Sequence, residues 1–164
     1  MVAYATPEWV AAMGENYRSN PDNAGKIFKG ITMFLVFRIQ ADPKFGLGKD
    51  IDFGTHLVDG VLQEDSTLMN AADSERKADF ILSASPHIWK RVITKKEGFV
   101  AAFMGGKIKL DKGEAPKIIA LASRSPAVVE AFNRVPTEWP DEMTPEQLEA
   151  YKVQVKEFRE RLGL

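Results

Sequence analysis

The chain has 164 residues, of which 45% are apolar and 27% charged, a balance that allows one substantial hydrophobic core and excludes disordered, fibrous and membrane-spanning classes. Twenty-two Lys and Arg side chains face twenty-three Asp and Glu, leaving no cationic excess to neutralise a nucleic acid or an anionic bilayer, so neither is an expected partner. Cysteine is absent, which removes disulfides, thiolate nucleophiles and sulfur-bound metals and fits a reducing, cytoplasmic setting.

Met1 to Glu8 lack the basic start and apolar run of a signal peptide. Thr6-Pro7-Glu8 then predicts a capped helix from Pro7 to about Ser19, with Val10, Met13 and Tyr17 on its apolar face and Trp9 beside them. Ile31 to Ile39 reads as a strand whose two faces are both largely apolar in the middle. Asp50 to Val58 alternates, with Ile51, Phe53, Thr55 and Leu57 against Asp50, Asp52, Gly54 and His56, which predicts a half-buried strand. Asp59-Gly60 suits a type I′ turn, so Val61 to Ser66 is expected to return antiparallel. A polar interval, Asn70 to Lys77, leads to a fourth strand at about Ala78 to Ala84.

Ser85-Pro86 repeats the cap-and-proline signal and predicts a helix to about Thr94. A second short helix, Glu97 to Met104, should stop at Gly105-Gly106. Lys107 to Leu110 reads as an edge strand with outward lysines. Helical patterns resume over Ala115 to Ser123 and, after the cap-like Ser125-Pro126, to Phe132. Val135-Pro136 and Trp139-Pro140 make a stiff connector. Thr144-Pro145-Glu146-Gln147 is a capping box, and Leu148, Tyr151, Val155, Phe158 and Leu162 form a narrow apolar stripe behind it. The order implies an α+β fold with a mostly antiparallel sheet of about five strands covered by short helices, and an added C-terminal amphipathic helix.

Chemistry-bearing motifs are sparse. His56 and His87 have no partner at metal-ligand spacing and no nucleophile nearby, and a carboxylate or solvent neighbour is the expectation for His56. Asp50 and Asp52, or Glu64 and Asp65, read as solvated strand carboxylates before they read as a general acid and base. Gly46-Leu-Gly48-Lys49 matches neither a phosphate loop nor a dinucleotide fingerprint, so no cofactor is expected. The concentrated feature is apolar: Trp89, Ile93, Phe99, Phe103, Met104, Ile118, Leu121 and Phe132 are bulky and spread over several short helices. Periodicity alone makes them core, and small-molecule sites also form between such layers.

Ala78-Asp-Phe-Ile-Leu-Ser-Ala-Ser-Pro-His-Ile-Trp-Lys, followed by Gly98-Phe-Val-Ala-Ala-Phe-Met-Gly-Gly-Lys-Ile-Lys-Leu110, resembles the lipid-transfer domain of the sterol carrier protein family. The similarity runs from about Ala24 to Phe132. It implies a five-stranded sheet with helices around a hydrophobic tunnel that takes sterols, fatty acids, fatty acyl-CoA or phospholipids without chemistry. By that resemblance Trp89, Phe99, Phe103 and Met104 stand nearest the tunnel, Ile118 and Leu121 help close it, and Ile93 and Phe132 complete the expected ligand-binding set. Two glycines, Gly105 and Gly106, stand where the family usually has one. Arg161-Leu-Gly-Leu164 lacks a peroxisomal import tripeptide, so a peroxisomal address is not expected. Residues 1–164 are therefore expected to be one domain, with a sterol-carrier-like core at 24–133 and an appended helix at 144–162.

Two further readings stand beside the non-catalytic lipid carrier. The stripe from Leu148 to Leu162 can instead serve an interaction module or a homodimer. An enzyme is the third, for which no nucleophile and base pair is visible. A rim of Lys90, Arg91, Lys95 and Lys96 is a candidate for a lipid head group and equally a solvated helix face.

Overall fold

A computed structural model describes residues 1–23 and 26–164. Ala24, where the sequence places the start of the sterol-carrier-like core, lies outside the described residues. The chain opens with a two-residue strand, β1 (Val2–Ala3), and enters α1 (Pro7–Ser19), capped as expected by the Thr6 hydroxyl, which accepts the Trp9 N–H at 3.2 Å. Trp9, Val10, Met13 and Tyr17 are buried on one side of α1.

β2 (Met33–Ile39) and β3 (Ile51–Val58) pair antiparallel from Met33 opposite Leu57 to Ile39 opposite Ile51. Asp59 and Gly60 take the positive φ values, 48° and 78°, that a type I′ turn requires. The return is shorter than predicted. β4 (Val61–Leu62) ends where Gln63 to Ser66 turn, and β5 (Leu68–Met69) rejoins β3 beside Asp52 and Phe53. The polar interval is α2 (Ala71–Lys77), capped by Asn70; it carries no apolar stripe because only Ser74 of it is buried.

β6 (Phe80–Ala84) runs parallel to β2, an arrangement made possible by the crossover through α2, and all five of its residues are buried. α3 (Pro86–Ile93) is capped by Ser85, and α4 (Phe99–Met104) ends at Gly105-Gly106, where Gly106 supplies the left-handed φ of 76°. β7 (Lys109–Lys112) lies two residues beyond its predicted place, and its register with β6 shifts between Ile81 and Leu82. α5 (Ala115–Leu121) continues through a tight turn into α6 (Ser125–Asn133). Ser125 is not a cap here: its backbone is already helical, at φ −58° and ψ −31°. The connector contains β8 (Thr137–Glu138), which pairs parallel with β1 and ties the two ends of the chain together. α7 (Pro145–Leu162) carries the predicted capping box.

The main sheet has the order β4-β3-β2-β6-β7, with β5 also on β3. It is mostly antiparallel, and β7 stands at its edge as expected. One face carries Leu35, Phe37, Phe53, Leu57 and Leu82 toward α1, α3, α5 and α6, in a cluster of buried side chains that extends from Tyr4 to Phe158. The other face holds a smaller cluster of Val36, Ala78 and Ile81 with Phe34 and Met69. β3 is thus covered on both sides rather than half-buried. A Cβ on Gly54 would lie 2.6 Å from both Met69 Sδ and Phe34 Cε1, and Asp52, expected in solvent, is only 4% exposed. Strand alternation reveals which residues share a face, not whether another element covers it.

α7 folds back on its own chain. Tyr151, Val155 and Phe158 are buried, while Arg159 Nη2 donates to the carbonyls of Lys49 and Asp50 at 2.8 and 2.9 Å. The predicted stripe is therefore largely covered within the molecule, although Leu162 at its far end is exposed. No helix among the described residues is long and apolar enough to cross a membrane.

Candidate functional site

Between the sheet and its helices lies an apolar cavity of about 100 Å³. Its floor is Leu35, Phe37, Phe53, Leu57 and Leu82. Trp9, Met13 and Tyr17 of α1 form one wall, and Trp89, Val92 and Ile93 of α3 form another. Phe99, Ile118, Leu121, Val128, Val129 and Phe132 close the remainder. The aromatic rings interlock: Trp9 stacks on Phe132 at 4.9 Å between centroids, Phe37 on Phe53 at 5.1 Å, and Trp89 meets Phe37 edge-on at 5.6 Å. Both indole N–H groups donate elsewhere, Trp9 Nε1 to Thr137 Oγ1 and Trp89 Nε1 to the Arg38 carbonyl, each at 3.0 Å. Their ring faces are left as plain apolar wall.

Six of the residues singled out from sequence meet at this cavity: Trp89, Ile93, Phe99, Ile118, Leu121 and Phe132. Phe103 is absent from its lining and stacks one turn along α4 on Phe99 at 6.2 Å. Met104 points outward and is 67% exposed, because α4 buries only Ala102. The sequence places Met13 and Tyr17 on the apolar face of α1 with Trp9 beside them and includes none of the three in the candidate site, and they are a cavity wall. Their spacing of four and four along one helix face was the available signal, and it distinguishes a buried face without saying what it faces. α7 contributes no side chain to the lining among the described residues.

The lining contains no Asp, Glu, Lys, Arg or His among the described residues. Its polar atoms are hydroxyls. Thr55 donates to the Leu35 carbonyl at 2.9 Å, whereas the Tyr4 and Tyr17 hydroxyls are buried without a hydrogen-bond partner among the described residues. Burial pushes the Tyr17 phenol up to about 12. The Tyr4 phenol is raised well above its usual value, chiefly by burial and further by nearby Tyr151 and Asp141.

Three of the four rim cations are engaged by acids of the same chain. Lys90 Nζ lies 3.0 Å from Asp141 and 3.1 Å from Glu142, Arg91 Nε lies 3.3 Å from Glu97, and Lys95 pairs with Glu130. Glu130 is held below the usual carboxylate range by its hydrogen bonds from Lys95 and Arg134. The histidines stand apart. His56, on the opposite face of the sheet, has Nδ1 3.0 Å from the Asp65 carboxylate and its ring stacked on Phe34, and His87 is exposed. No group of three metal-ligating side chains occurs among the described residues.

This architecture is a known one. A crystal structure of sterol carrier protein 2 superposes with a TM-score of 0.71 at 21% identity, over 80% of this chain and 98% of that one. The solution structure of a conserved hypothetical protein from Thermus thermophilus, possibly a sterol carrier protein, gives 0.73 at 20% identity, over 84% and 93%. Palmitated SCP2L2 from Aedes aegypti gives 0.51 at 13% identity, over 79% and 96%. No curated protein matches by sequence. The SCP-2 sterol transfer family matches residues 51–121, from the start of β3 to the end of α5. The chain thus has the sterol carrier protein 2 fold, and its residues 51–121 are similar to the SCP-2 sterol transfer family.

Proposed function

We propose that the protein binds a lipid in this cavity and carries it without altering it, the ligand being a sterol, a fatty acid, a fatty acyl-CoA or a phospholipid chain. The observation that carries this reading is the uncharged cavity, walled by aromatic and aliphatic side chains from five helices and the sheet. Burying about ten methylenes at roughly 0.8 kcal/mol each releases about 8 kcal/mol, from which the ordering costs of binding are drawn, so apolar burial supplies the affinity without charged contacts. The similarity of residues 51–121 to the SCP-2 sterol transfer family and the likeness in fold to palmitated SCP2L2 from Aedes aegypti support the same reading.

A void of about 100 Å³ is smaller than the roughly 300–1,000 Å³ of sites that enclose small ligands. A lipid chain therefore enters by parting the walls. α4, α5 and α6 are the short helices over the cavity, and Gly105-Gly106 gives α4 a hinge. In the opened form Trp89, Ile93, Phe99, Ile118, Leu121 and Phe132 line the chain, and Phe103 and Met104 stand at the mouth. Residues 1–164 act as one domain in the cytoplasm, with α7 appended to the sterol-carrier-like core as a brace.

The test uses the tryptophans. Of the three in the chain, Trp9 and Trp89 line the cavity and Trp139 does not. In a Trp139→Phe variant, titration with palmitate, palmitoyl-CoA, cholesterol or phosphatidylcholine should change the emission saturably for at least one of them. A flat response to all four rejects the reading.

A further inference from the structure

Two residues that line the cavity, Tyr4 and Tyr17, carry phenol hydroxyls that are buried and have no hydrogen-bond partner among the described residues. Buried polar groups are nearly always satisfied, so two orphans on residues lining one apolar cavity call for a specific cause. The wall otherwise offers little: Thr55 is already bonded to the Leu35 carbonyl, and Ser125 sits at the half-exposed edge. Tyr17 is near the C-terminal end of α1 and Tyr4 precedes its N-terminus. From Trp9 to Tyr17 the helix rises about 12 Å, so Tyr4 and Tyr17 stand at separate places along the wall that α1 forms.

We infer that Tyr4 and Tyr17 are two alternative hydrogen-bonding points for the polar end of the ligand, one used at a time according to the direction in which the chain lies, and that the ligand is a long-chain amphiphile with an uncharged head, a hydroxyl or an unionised carboxyl. This rests on the lipid-binding reading above and narrows it. An ionised head buried here would have no counter-charge among the described residues, because no charged side chain of theirs lines the cavity and Lys90, Arg91 and Lys95 are paired with acids of their own chain. Desolvating a carboxylate without a partner is far costlier than desolvating a hydroxyl. Both phenols stay protonated at neutral pH, since burial raises each above its ordinary value. Each can therefore donate to a hydroxyl or carbonyl oxygen, and each can accept from a hydroxyl.

The experiment compares hexadecanol, palmitic acid and hexadecane, delivered from cyclodextrin, by calorimetric titration of the wild type, Tyr4→Phe, Tyr17→Phe and the double variant. The wild type should bind the alcohol about fivefold to tenfold more tightly than the alkane. Palmitic acid should bind more tightly as the pH is lowered toward its own pKa. At least one single variant should weaken the preference for the alcohol, and the double variant should lose it, each keeping the affinity for the alkane. Melting of the unliganded variants should be unchanged or raised, since an unsatisfied hydroxyl is removed; a tyrosine serving only the fold would lower it. The inference is overturned if the double variant keeps the preference, or if palmitate binds best when ionised. Failure of all three compounds to bind the wild type would reject the lipid-binding reading itself.

Discussion

The hydroxyl of Tyr151 on α7 donates to the backbone carbonyl of Tyr4, a hydrogen bond between buried groups 147 residues apart in sequence. It joins the C-terminal helix to the segment that brings Tyr4 to the cavity, so α7 acts on the site from behind rather than from within. Tyr151→Phe leaves that carbonyl unpaired and should lower unfolding free energy by about 1–3 kcal/mol.

Deleting residues 145–164 goes further, because it exposes the surfaces that Tyr151, Val155 and Phe158 cover. At roughly 1.5–3 kcal/mol for each large apolar side chain removed from water, the loss should reach several kcal/mol. Urea unfolding measures it. Gel filtration separates the two roles of the helix: a brace lowers stability and leaves the oligomeric state alone, whereas a helix that joins two copies shifts the elution volume when it is removed.

On the far face of the sheet, Arg38 grips Asp52 directly across the β2–β3 pair, Nε to Oδ1 at 2.9 Å and Nη2 to Oδ2 at 3.0 Å. The Asp52 hydrogen bond, ahead of opposing burial, raises the Arg38 guanidinium further above its ordinary value. Asp52→Ala removes both of these hydrogen bonds and leaves Arg38 with Asp111, Nη1 to Oδ2 at 3.2 Å, so it should cost about 1–3 kcal/mol. Lipid affinity should not change below the melting transition, because neither residue lines the cavity. A fall in affinity at temperatures where the variant remains folded would show that the two faces of the sheet are coupled.

Filling the cavity should separate binding from folding. Leu121→Trp places a large ring in the wall at a half-buried position, where overpacking costs about 1–3 kcal/mol. Affinity for every lipid tested should fall by at least about tenfold, the effect of about 1.4 kcal/mol of lost burial. Phe132→Ala does the reverse. It enlarges the void, lowers stability by about 3–5 kcal/mol, and should favour bulkier ligands over slender ones in a competition assay.

Alkaline pH reads the buried phenols. All three tyrosines in the chain, Tyr4, Tyr17 and Tyr151, are raised by burial, Tyr17 to about 12. Unfolded tyrosine ionises near 10, so above that pH the unfolded chain loses protons that the folded chain keeps. The stabilisation of the neutral phenols is present in full below pH about 10 and is lost as pH rises through the folded value, at about 1.4 kcal/mol per pH unit for each tyrosine. Phenolate absorbance should be nearly absent from the folded protein at pH about 11 and should appear with unfolding. Tyr17→Phe should flatten the decline of stability over the pH 10 to 12 window set by Tyr17.

Local signals carried much of the fold. The limits of α1 and α7 were legible because Thr6-Pro7 and Thr144-Pro145 cap their helices with side chains that act within one turn. Asp59-Gly60 specified its turn through backbone conformations available to few other residue pairs. α2 was not legible, since a helix with one buried residue has no stripe to read. The parallel course of β6 beside β2 was not legible either, because strand direction is a property of the pairing and not of either strand.

The sequence by itself determined the alternation and capping, the overall apolar content and the absence of a charge surplus or a cysteine, all properties of residues and their near neighbours. Tertiary structure alone decided that Trp9 and Phe132, 123 positions apart in the chain, stack across one cavity. It also decided that Asp52 is buried against Arg38 and that Lys90 meets Asp141. It left the buried Tyr4 and Tyr17 hydroxyls without a hydrogen-bond partner among the described residues. Each of these depends on which distant elements come to lie opposite one another, and so on the packing of two sheet faces that periodicity marks out but cannot match to their coverings.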